Sequence, residues 1–171
     1  VYCVAVVAAA GGLTRALMEA LLHVNAMDAW QPWTGFSTAD ITDGEWRQMM
    51  AVNVDGPFYV ARAFARTLRA TRGRLINIAS IAGRQGTPLL AAYCTGKHGL
   101  VGLTRALAEE WRADGVAINA ICPGSVDTAM LAEGMPGAAA AMSPDDIAGT
   151  ALYLAAAAPA AMTGSCLDVF G

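Results

Sequence analysis

The chain has 171 residues, a formal net charge of −3, 56% hydrophobic residues and 15% charged residues. This length and hydrophobicity predict one folded domain over residues 1–171 and exclude an intrinsically disordered chain. No basic excess is present to neutralise phosphates, and no apolar run is as long as a membrane-spanning helix, so we expect neither a nucleic-acid partner nor a membrane partner.

The N-terminal residues have the pattern of a strand, a glycine turn and a helix. Residues 1–12 begin with the apolar run VYCVAVV and end at Gly11-Gly12, and residues 13–22 have apolar side chains at helical spacing. This pattern is half of a βαβ unit. The first residues lack the basic segment of a signal peptide, so we expect a cytoplasmic protein.

A helical region follows an irregular loop that is rich in Trp, Pro and Gly. Thr42-Asp43-Gly44-Glu45 matches a capping box, in which the threonine hydroxyl and the glutamate carboxylate satisfy free amides at a helix start. We therefore predict a helix from here to about Val52 and a second, amphipathic helix over residues 53–70.

Strands and helices then alternate to the end of the chain. Apolar and β-branched runs predict strands at residues 74–79, 116–121 and 166–169, and helical spacing predicts a long helix over residues 89–112. Ser143-Pro144-Asp145-Asp146 predicts a further helix start, with serine as the cap and proline in the first turn.

This alternation predicts an α/β domain with a doubly wound parallel sheet that is covered by helices on both faces. The C-terminal ends of all parallel strands then meet at one edge of the sheet. Open α/β sheets bind their ligands at that edge, so the loops that follow the strands are the candidate functional segments.

Three residues capable of proton chemistry fall at this edge. Ser80 begins the loop after the strand at 74–79, and Tyr93 and Lys97 lie four residues apart on one face of the next helix. Lys97 is the only lysine in the chain, and every other basic side chain apart from the histidines is arginine. Because an ammonium stabilises a nearby phenolate, the pattern predicts Tyr93 as general acid and base, assisted by Lys97. Ser80 would polarise a carbonyl oxygen.

The stretch IASIAGRQGTPLLAAYCTGKHGLVGLTRALAEEW, followed by GVAINAICPGSVDTAM, closely resembles the short-chain dehydrogenase/reductase family. The likeness runs from about residue 24 to the C-terminus and includes EWRQMMAVNVDGPF. It implies a Rossmann-like fold and a catalytic set of Asn53, Ser80, Tyr93 and Lys97. In the family, the asparagine lies at a helix kink and helps to hold a water that relays protons through the lysine.

The resemblance also implies a set of residues that bind NAD or NADP. These are Gly11, Gly12, Asn25, Ala26, Tyr93, Lys97, Pro123, Gly124, Val126 and Thr128. The two glycines stand where the family has its glycine-rich phosphate loop, and Asn25-Ala26-Met27 resembles the family's Asn-Ala-Gly turn. The segment from Pro123 to Thr128 resembles the part that covers the nicotinamide.

The N-terminal part departs from the family pattern. Asn25 follows the first predicted helix directly, so about two βα units are missing between them. An alternative alignment makes residues 13–22 the helix just before the Asn-Ala-Gly strand, with the whole first unit absent. In both alignments, the adenosine side of the cofactor site is altered.

Three functions are compatible with these residues. The first is an NAD(P)-dependent oxidoreductase that interconverts a small ketone and a secondary alcohol by hydride transfer, with Tyr93 as general acid and base. The alternative is a family-derived isomerase, dehydratase or cyclase that binds no dinucleotide and uses Ser80, Tyr93 and Lys97 for proton transfer. The third is a non-catalytic binding protein, against which the three intact residues argue.

Cysteine spacing and the family likeness give two further expectations. The four cysteines lie far apart, so we expect buried, reduced thiols and no metal site. In the family, the two long helices pair across subunits, which implies a homodimer or a homotetramer. Six apolar side chains on these helices face either a partner or the sheet: Phe64, Leu68, Leu100, Leu103, Leu107 and Trp111.

Overall fold

A computed structural model describes the backbone of Ala5–Ala8 and residues 37–171. Ala5–Ala8 forms strand β1, within the predicted N-terminal strand. The helix predicted over residues 13–22 lies outside the described residues.

One long helical segment opens the described C-terminal region. It consists of α1 (Asp43–Met50), a π-helical turn (Ala51–Asp55) and α2 (Gly56–Thr71). The Thr42 hydroxyl accepts from the Glu45 amide at 3.3 Å and the Glu45 carboxylate accepts from the Thr42 amide at 2.8 Å, which confirms the capping box. The sequence predicts two helices with a boundary near residue 53. The structure has one continuous helix, which widens locally into a π turn at this position.

The remaining elements follow the predicted alternation, with one short helix that the sequence did not predict. They are β2 (Arg74–Ile78), a 3-10 turn (Ile81–Gly83), α3 (Ala91–Glu110), a second 3-10 turn (Arg112–Asp114), β3 (Ala117–Pro123), α4 (Ala129–Gly134), α5 (Pro144–Leu152), a second π-helical turn (Tyr153–Ala157) and β4 (Cys166–Val169). Here α4 is the unpredicted helix.

The four described strands form one sheet in the order β1-β2-β3-β4. β2 pairs in parallel with β3, and β3 pairs in parallel with β4, as predicted. β1 instead pairs antiparallel with β2, so the sheet is mixed. The apolar pattern of a strand does not specify its direction, and an otherwise parallel sheet commonly carries an antiparallel strand at its edge.

Helices cover both faces of this sheet. On one face, side chains of α2 and α3 pack against Leu75 and Ile118. On the other, α5 and the second π-helical turn pack against Ile76, Ile78 and Ile121. The result is the expected three-layer α/β arrangement, with the C-terminal ends of β2, β3 and β4 at one edge.

Most of the apolar side chains considered for a subunit contact face the sheet of their own chain. Leu68, Leu100, Leu107 and Trp111 are each at most 9% exposed, whereas Phe64 is 44% exposed.

Among the helices of the described region, none is long and apolar enough to cross a membrane.

Candidate active site

Asn53 lies in the first π-helical turn with its side chain fully buried. Its amide nitrogen donates to the carbonyl oxygen of Met49 at 3.0 Å and lies 3.1 Å from the Met49 sulfur. A π turn replaces bonds to residue i−4 by bonds to residue i−5, so the side chain of Asn53 contacts a carbonyl that a regular helix would use internally. The turn thus fixes the orientation of this amide inside the protein.

Gly96 on α3 allows this turn to approach that helix closely. A Cβ atom placed on Gly96 would lie 2.8 Å from the Cβ of Asn53, which is closer than two side chains can pack. Because Gly96 directly precedes Lys97, the missing side chain brings Asn53 next to the segment of α3 that carries the lysine. Sequence reasoning missed this glycine, although its place between Tyr93 and Lys97 was the available signal.

Ser80 follows β2 and caps the 3-10 turn. Its hydroxyl oxygen accepts a hydrogen bond from the Ala82 amide at 3.1 Å. Accepting this bond uses a lone pair and not the hydroxyl proton, so Ser80 can still donate to another oxygen. The preceding Ala79 amide donates to Ile121 on β3 at 2.7 Å, which holds the serine at the C-terminal edge of the sheet.

Tyr93 and Lys97 lie on one face of α3, as predicted. The Lys97 ammonium nitrogen is 5.7 Å from the centre of the Tyr93 ring and donates to the carbonyl oxygen of Ile78 at 3.1 Å. Lys97 is 1% exposed, whereas the Tyr93 side chain is half-buried. The lysine therefore connects α3 to the end of β2, two residues before Ser80.

A second glycine contact brings the serine turn against the same part of α3. A Cβ atom on Gly83 would lie 2.7 Å from the carbonyl oxygen of Lys97 and 3.1 Å from Val101. Gly83 and Gly96 thus permit two close contacts around Lys97, one with the serine turn and one with the asparagine turn. All four predicted catalytic residues lie on elements that meet at this lysine.

The segment after β3 forms a second side of the same edge. The Gly124 amide donates to the Val169 carbonyl at 2.9 Å, and Val126 forms a β-bridge with Met142. Thr128 caps α4, with its hydroxyl accepting from the Leu131 amide at 3.3 Å. Backbone contacts with Val169 and with Met142 therefore hold the segment that is predicted to cover the nicotinamide.

Four predicted cofactor residues lie outside the described residues: Gly11, Gly12, Asn25 and Ala26. In the part of the chain from residue 37 onward, no group of three or more His, Cys, Asp and Glu side chains is placed to hold a metal ion. The described portion of the site thus consists of the four predicted catalytic residues and the segment from Pro123 to Thr128.

Comparison with known proteins identifies the family of this chain. The short chain dehydrogenase family model matches residues 33–137. Galactitol 2-dehydrogenase (L-tagatose-forming) of Cereibacter sphaeroides is 38% identical over 144 residues, which cover 75% of this chain and 57% of that protein. Inactive 2-(S)-hydroxypropyl-CoM dehydrogenase 2 of Xanthobacter autotrophicus is 33% identical, with 98% of this chain and 79% of that protein covered.

Solved structures with the same fold give the same assignment. A 3-oxoacyl-[acyl-carrier protein] reductase with bound NAD from Brucella melitensis superposes with a TM-score of 0.72 at 26% identity, covering 83% of this chain and 56% of that one. A 4-hydroxyisoleucine dehydrogenase complexed with NADH and succinate has a TM-score of 0.70 at 28% identity, covering 81% and 62%. The chain spans about three-fifths of the length of each. It belongs to the short-chain dehydrogenase family of oxidoreductases.

Proposed function

We propose that this protein is an NAD(P)-dependent oxidoreductase that interconverts a small ketone and a secondary alcohol. The observation that carries the proposal is the buried Lys97, whose ammonium lies against the Tyr93 ring and hydrogen-bonds to the last residue of β2. Burying a lysine costs free energy unless its charge is used in a polar contact. A lysine placed against a tyrosine at the ligand-binding edge of the sheet supports a role in proton transfer.

The described residues fit the nicotinamide side of a dinucleotide. The Lys97 ammonium lies at the C-terminal end of β2, where it donates to the carbonyl oxygen of Ile78, and ammonium groups suit the hydroxyls of a ribose. We therefore expect Tyr93, Lys97 and the segment from Pro123 to Thr128 to hold the cofactor, NAD or NADP. When bound, the cofactor supplies or accepts the hydride.

The chain's own residues orient the substrate and move its proton. In the reductive direction, the Ser80 hydroxyl donates to the carbonyl oxygen of the ketone, and the Tyr93 phenol transfers its proton to that oxygen as the alcohol forms. The Lys97 ammonium stabilises the resulting phenolate. Asn53, held next to α3 through Gly96, supports the return of a proton to Tyr93 through Lys97. In the oxidative direction, the same groups work in reverse.

Nucleotide binding and a tyrosine variant test this proposal. We expect saturable binding of NADH or NADPH by calorimetry, and nucleotide-dependent turnover of a ketone or an alcohol from a substrate panel. Tyr93→Phe should lower kcat/KM by about 10²- to 10⁴-fold, the usual contribution of a general acid. Tyr153→Phe is the matched control. It removes a hydroxyl from an exposed tyrosine in the second π-helical turn and should leave kcat/KM unchanged.

Other outcomes would identify the alternative functions. Turnover that does not respond to nucleotide, but is lost in Tyr93→Phe, would identify an isomerase, dehydratase or cyclase that uses the site for proton transfer alone. Absence of nucleotide binding at millimolar concentration, with no effect of Tyr93→Phe on any reaction, would overturn the enzymatic proposal.

We also propose that two or four copies of the chain assemble through the exposed face of the α1–α2 segment. Trp46, Phe58, Tyr59 and Phe64 are each at least 40% exposed there, and the Arg62 guanidinium lies 5.2 Å and 5.0 Å from the centres of the Phe58 and Tyr59 rings. Large aromatic side chains are enriched at protein–protein contacts. Light scattering should give the mass of a dimer or a tetramer, and a monomer at micromolar concentration would contradict this assembly.

A further inference from the structure

An ion pair joins the end of the serine turn, which is Ser80 with the 3-10 turn Ile81–Gly83, to the last strand of the sheet. Arg84 directly follows this turn, and Asp168 lies on β4. The Arg84 Nε atom lies 3.4 Å from Asp168 Oδ1, and the Arg84 Nη2 atom donates to Asp168 Oδ2 at 3.5 Å. Two side-by-side contacts between a guanidinium and a carboxylate fix the relative orientation of both groups. The pair therefore fastens the serine turn to β4.

Backbone hydrogen bonds make Ser80 and Arg84 parts of one unit. The Gly83 amide donates to the Ser80 carbonyl at 2.9 Å, and the Arg84 amide donates to the Ile81 carbonyl at 2.8 Å. The Ser80 hydroxyl oxygen accepts from the Ala82 amide within the same turn. A displacement of Arg84 is consequently transmitted to Ser80 through this set of short hydrogen bonds.

β4 also holds the loop on the other side of the candidate site. Val169, next to Asp168, accepts from the Gly124 amide at 2.9 Å. Two adjacent residues of β4 thus contact the two segments of the site, the serine turn through a side chain and the loop after β3 through a carbonyl. β4 pairs in parallel with β3, with Asp168 opposite Cys122 and Val169 opposite Pro123. This strand pairing sets the position of both contacts relative to the sheet.

The pair contributes to geometry more than to stability. The side chains of Arg84 and Asp168 are 33% and 38% exposed. Ion pairs that reach water add little to the free energy of unfolding, because screening and the ordering of the side chains offset the attraction. The pair of Arg47 and Asp43 on α1, at 3.1 Å, spans one turn of a single helix. Arg84 and Asp168 instead join two different elements, so the loss of their contact frees one element from the other.

We propose that Arg84 and Asp168 are positioning residues, which hold the Ser80 hydroxyl in place relative to the segment predicted to cover the nicotinamide. This inference rests on the proposed function, in which Ser80 donates to the carbonyl oxygen of the ketone and the segment from Pro123 to Thr128 holds the cofactor. Hydride transfer requires the carbonyl group to meet the serine and the nicotinamide in one geometry. By linking the serine turn to the strand that holds Gly124, the pair maintains that geometry.

Steady-state kinetics test whether the pair acts through Ser80. Arg84→Gln should lower kcat about tenfold, which is less than the roughly 10²- to 10³-fold loss expected for removal of the whole donor in Ser80→Ala. In the Ser80→Ala background, Arg84→Gln should change kcat less than about twofold, because the group that it positions is absent. The Kd for NADH or NADPH, measured by calorimetry, should stay within about twofold of wild type in Arg84→Gln, because the Gly124 contact is kept.

Variants of both partners separate the contact from the individual side chains. Asp168→Asn should match Arg84→Gln, and the double variant should lose no more kcat than either single variant, as expected for two partners of one contact. Arg84→Lys keeps the charge and should recover part of the lost kcat. Arg47→Gln removes the exposed ion pair on α1 and is the matched control, so its kcat should equal that of wild type.

Hydrogen exchange tests the link without any turnover. The amides of Ala82, Gly83 and Arg84 should exchange about two- to fivefold faster in Arg84→Gln, which is the range expected for the loss of a partly exposed ion pair. The Gly124 amide should keep its wild-type exchange rate, because its acceptor on β4 is unchanged. A general weakening of the fold would instead accelerate all four amides, and that result would contradict the proposal.

The remaining outcomes separate this inference from the proposed function. A protein that turns over no ketone or alcohol, yet shows the faster exchange confined to the serine turn, contradicts the proposed function and keeps the pair as the contact that positions Ser80. Unchanged kcat and unchanged exchange in Arg84→Gln would overturn the positioning role. So would an equal loss of kcat in the wild-type and Ser80→Ala backgrounds, because the pair would then act independently of the serine.

Discussion

Two helical segments of the described chain have the same design and different surroundings. Each begins with a capping box, at Thr42 and Ser143, and each contains a π-helical turn, Ala51–Asp55 in the first and Tyr153–Ala157 in the second. In the first turn, the buried Asn53 side chain donates to a carbonyl of its own helix. In the second, a residue of another element supplies the donors.

That residue is Arg74, at the start of β2. Its guanidinium donates to the carbonyl oxygen of Leu154 at 2.8 Å and to that of Ala158 at 2.6 Å. The second turn is thereby attached to the sheet, whereas the first places a buried polar side chain against Gly96 of α3. A π turn often marks a functional site, and the proposed function gives such a role to the first turn and a structural role to the second.

The largest expected effect concerns the first turn. If Asn53 acts as proposed, Asn53→Ala should lower kcat/KM on the order of 10²-fold, because it removes the side chain proposed to support proton transfer at Tyr93. The same variant should change the free energy of unfolding less than the loss in activity implies. Steady-state kinetics and urea denaturation on one preparation measure both quantities. Wild-type activity in a destabilised Asn53→Ala protein would reverse the assignment of the two turns.

The second turn should show the opposite result. Arg74→Met keeps the aliphatic stem but removes two charge-assisted hydrogen bonds and leaves two carbonyls without these donors. We expect the free energy of unfolding to fall by about 2 kcal/mol, with kcat/KM within about twofold of wild type. Urea denaturation measures the free energy of unfolding. A denaturation midpoint equal to that of the wild type would show that the two hydrogen bonds of Arg74 do not stabilise the fold.

Two glycines on α3 test how closely the first turn must approach this helix. Gly96→Ala places a methyl group against Asn53 and should destabilise the fold by about 1–3 kcal/mol, with a loss of activity. Gly102→Ala is the matched control, since a Cβ atom there meets no atom within 4 Å. Alanine is a better helix former than glycine, so the free energy of unfolding of this variant should rise by up to about 1 kcal/mol. Equal effects in the two variants would refute the importance of the close contact.

The smallest effect concerns the capping boxes that the two segments share. The backbone hydrogen bonds to Thr42 and Ser143 lower the pKa values of Glu45 and Asp146 respectively. A lowered pKa in the folded state means that each carboxylate stabilises the fold above its ordinary pKa and that this contribution is lost as the pH falls through the lowered value. Thermal unfolding between pH 6 and pH 2.5 should therefore lose less stability on acidification in Glu45→Gln and Asp146→Asn than in wild type. A wild-type acid response in both variants would contradict this.

The sequence predicted the features that depend on local pattern. The capping box at Thr42 and the strands at 74–79 and 166–169 follow from neighbouring residues, and Lys97 stands out as a single lysine among arginines. The prediction that β1 runs parallel to the other strands was wrong, because an apolar run has the same pattern in either direction. The roles of Gly83 and Gly96 depend on two elements that are distant in sequence, and their local pattern is that of ordinary helix and turn glycines.

The expectation of a buried thiol is wrong for Cys166, which is half-buried at the start of β4. Its exposure depends on its position opposite Ala120 of β3, and this register cannot be predicted from the residues around position 166. The four cofactor residues before position 37 stay predictions.

The attachment of Gly124 to Val169 has a consequence for biosynthesis. The ribosome synthesises β2, α3 and β3 before β4. Ser80, Tyr93 and Lys97 all lie in this earlier part of the chain. A nascent chain can therefore bring these three residues together while the loop after β3 still lacks the Val169 carbonyl that accepts from the Gly124 amide. We expect the loop at Gly124 to be the last part of the site to become ordered, and proteolytic removal of β4 to release it while the helices around Lys97 stay packed.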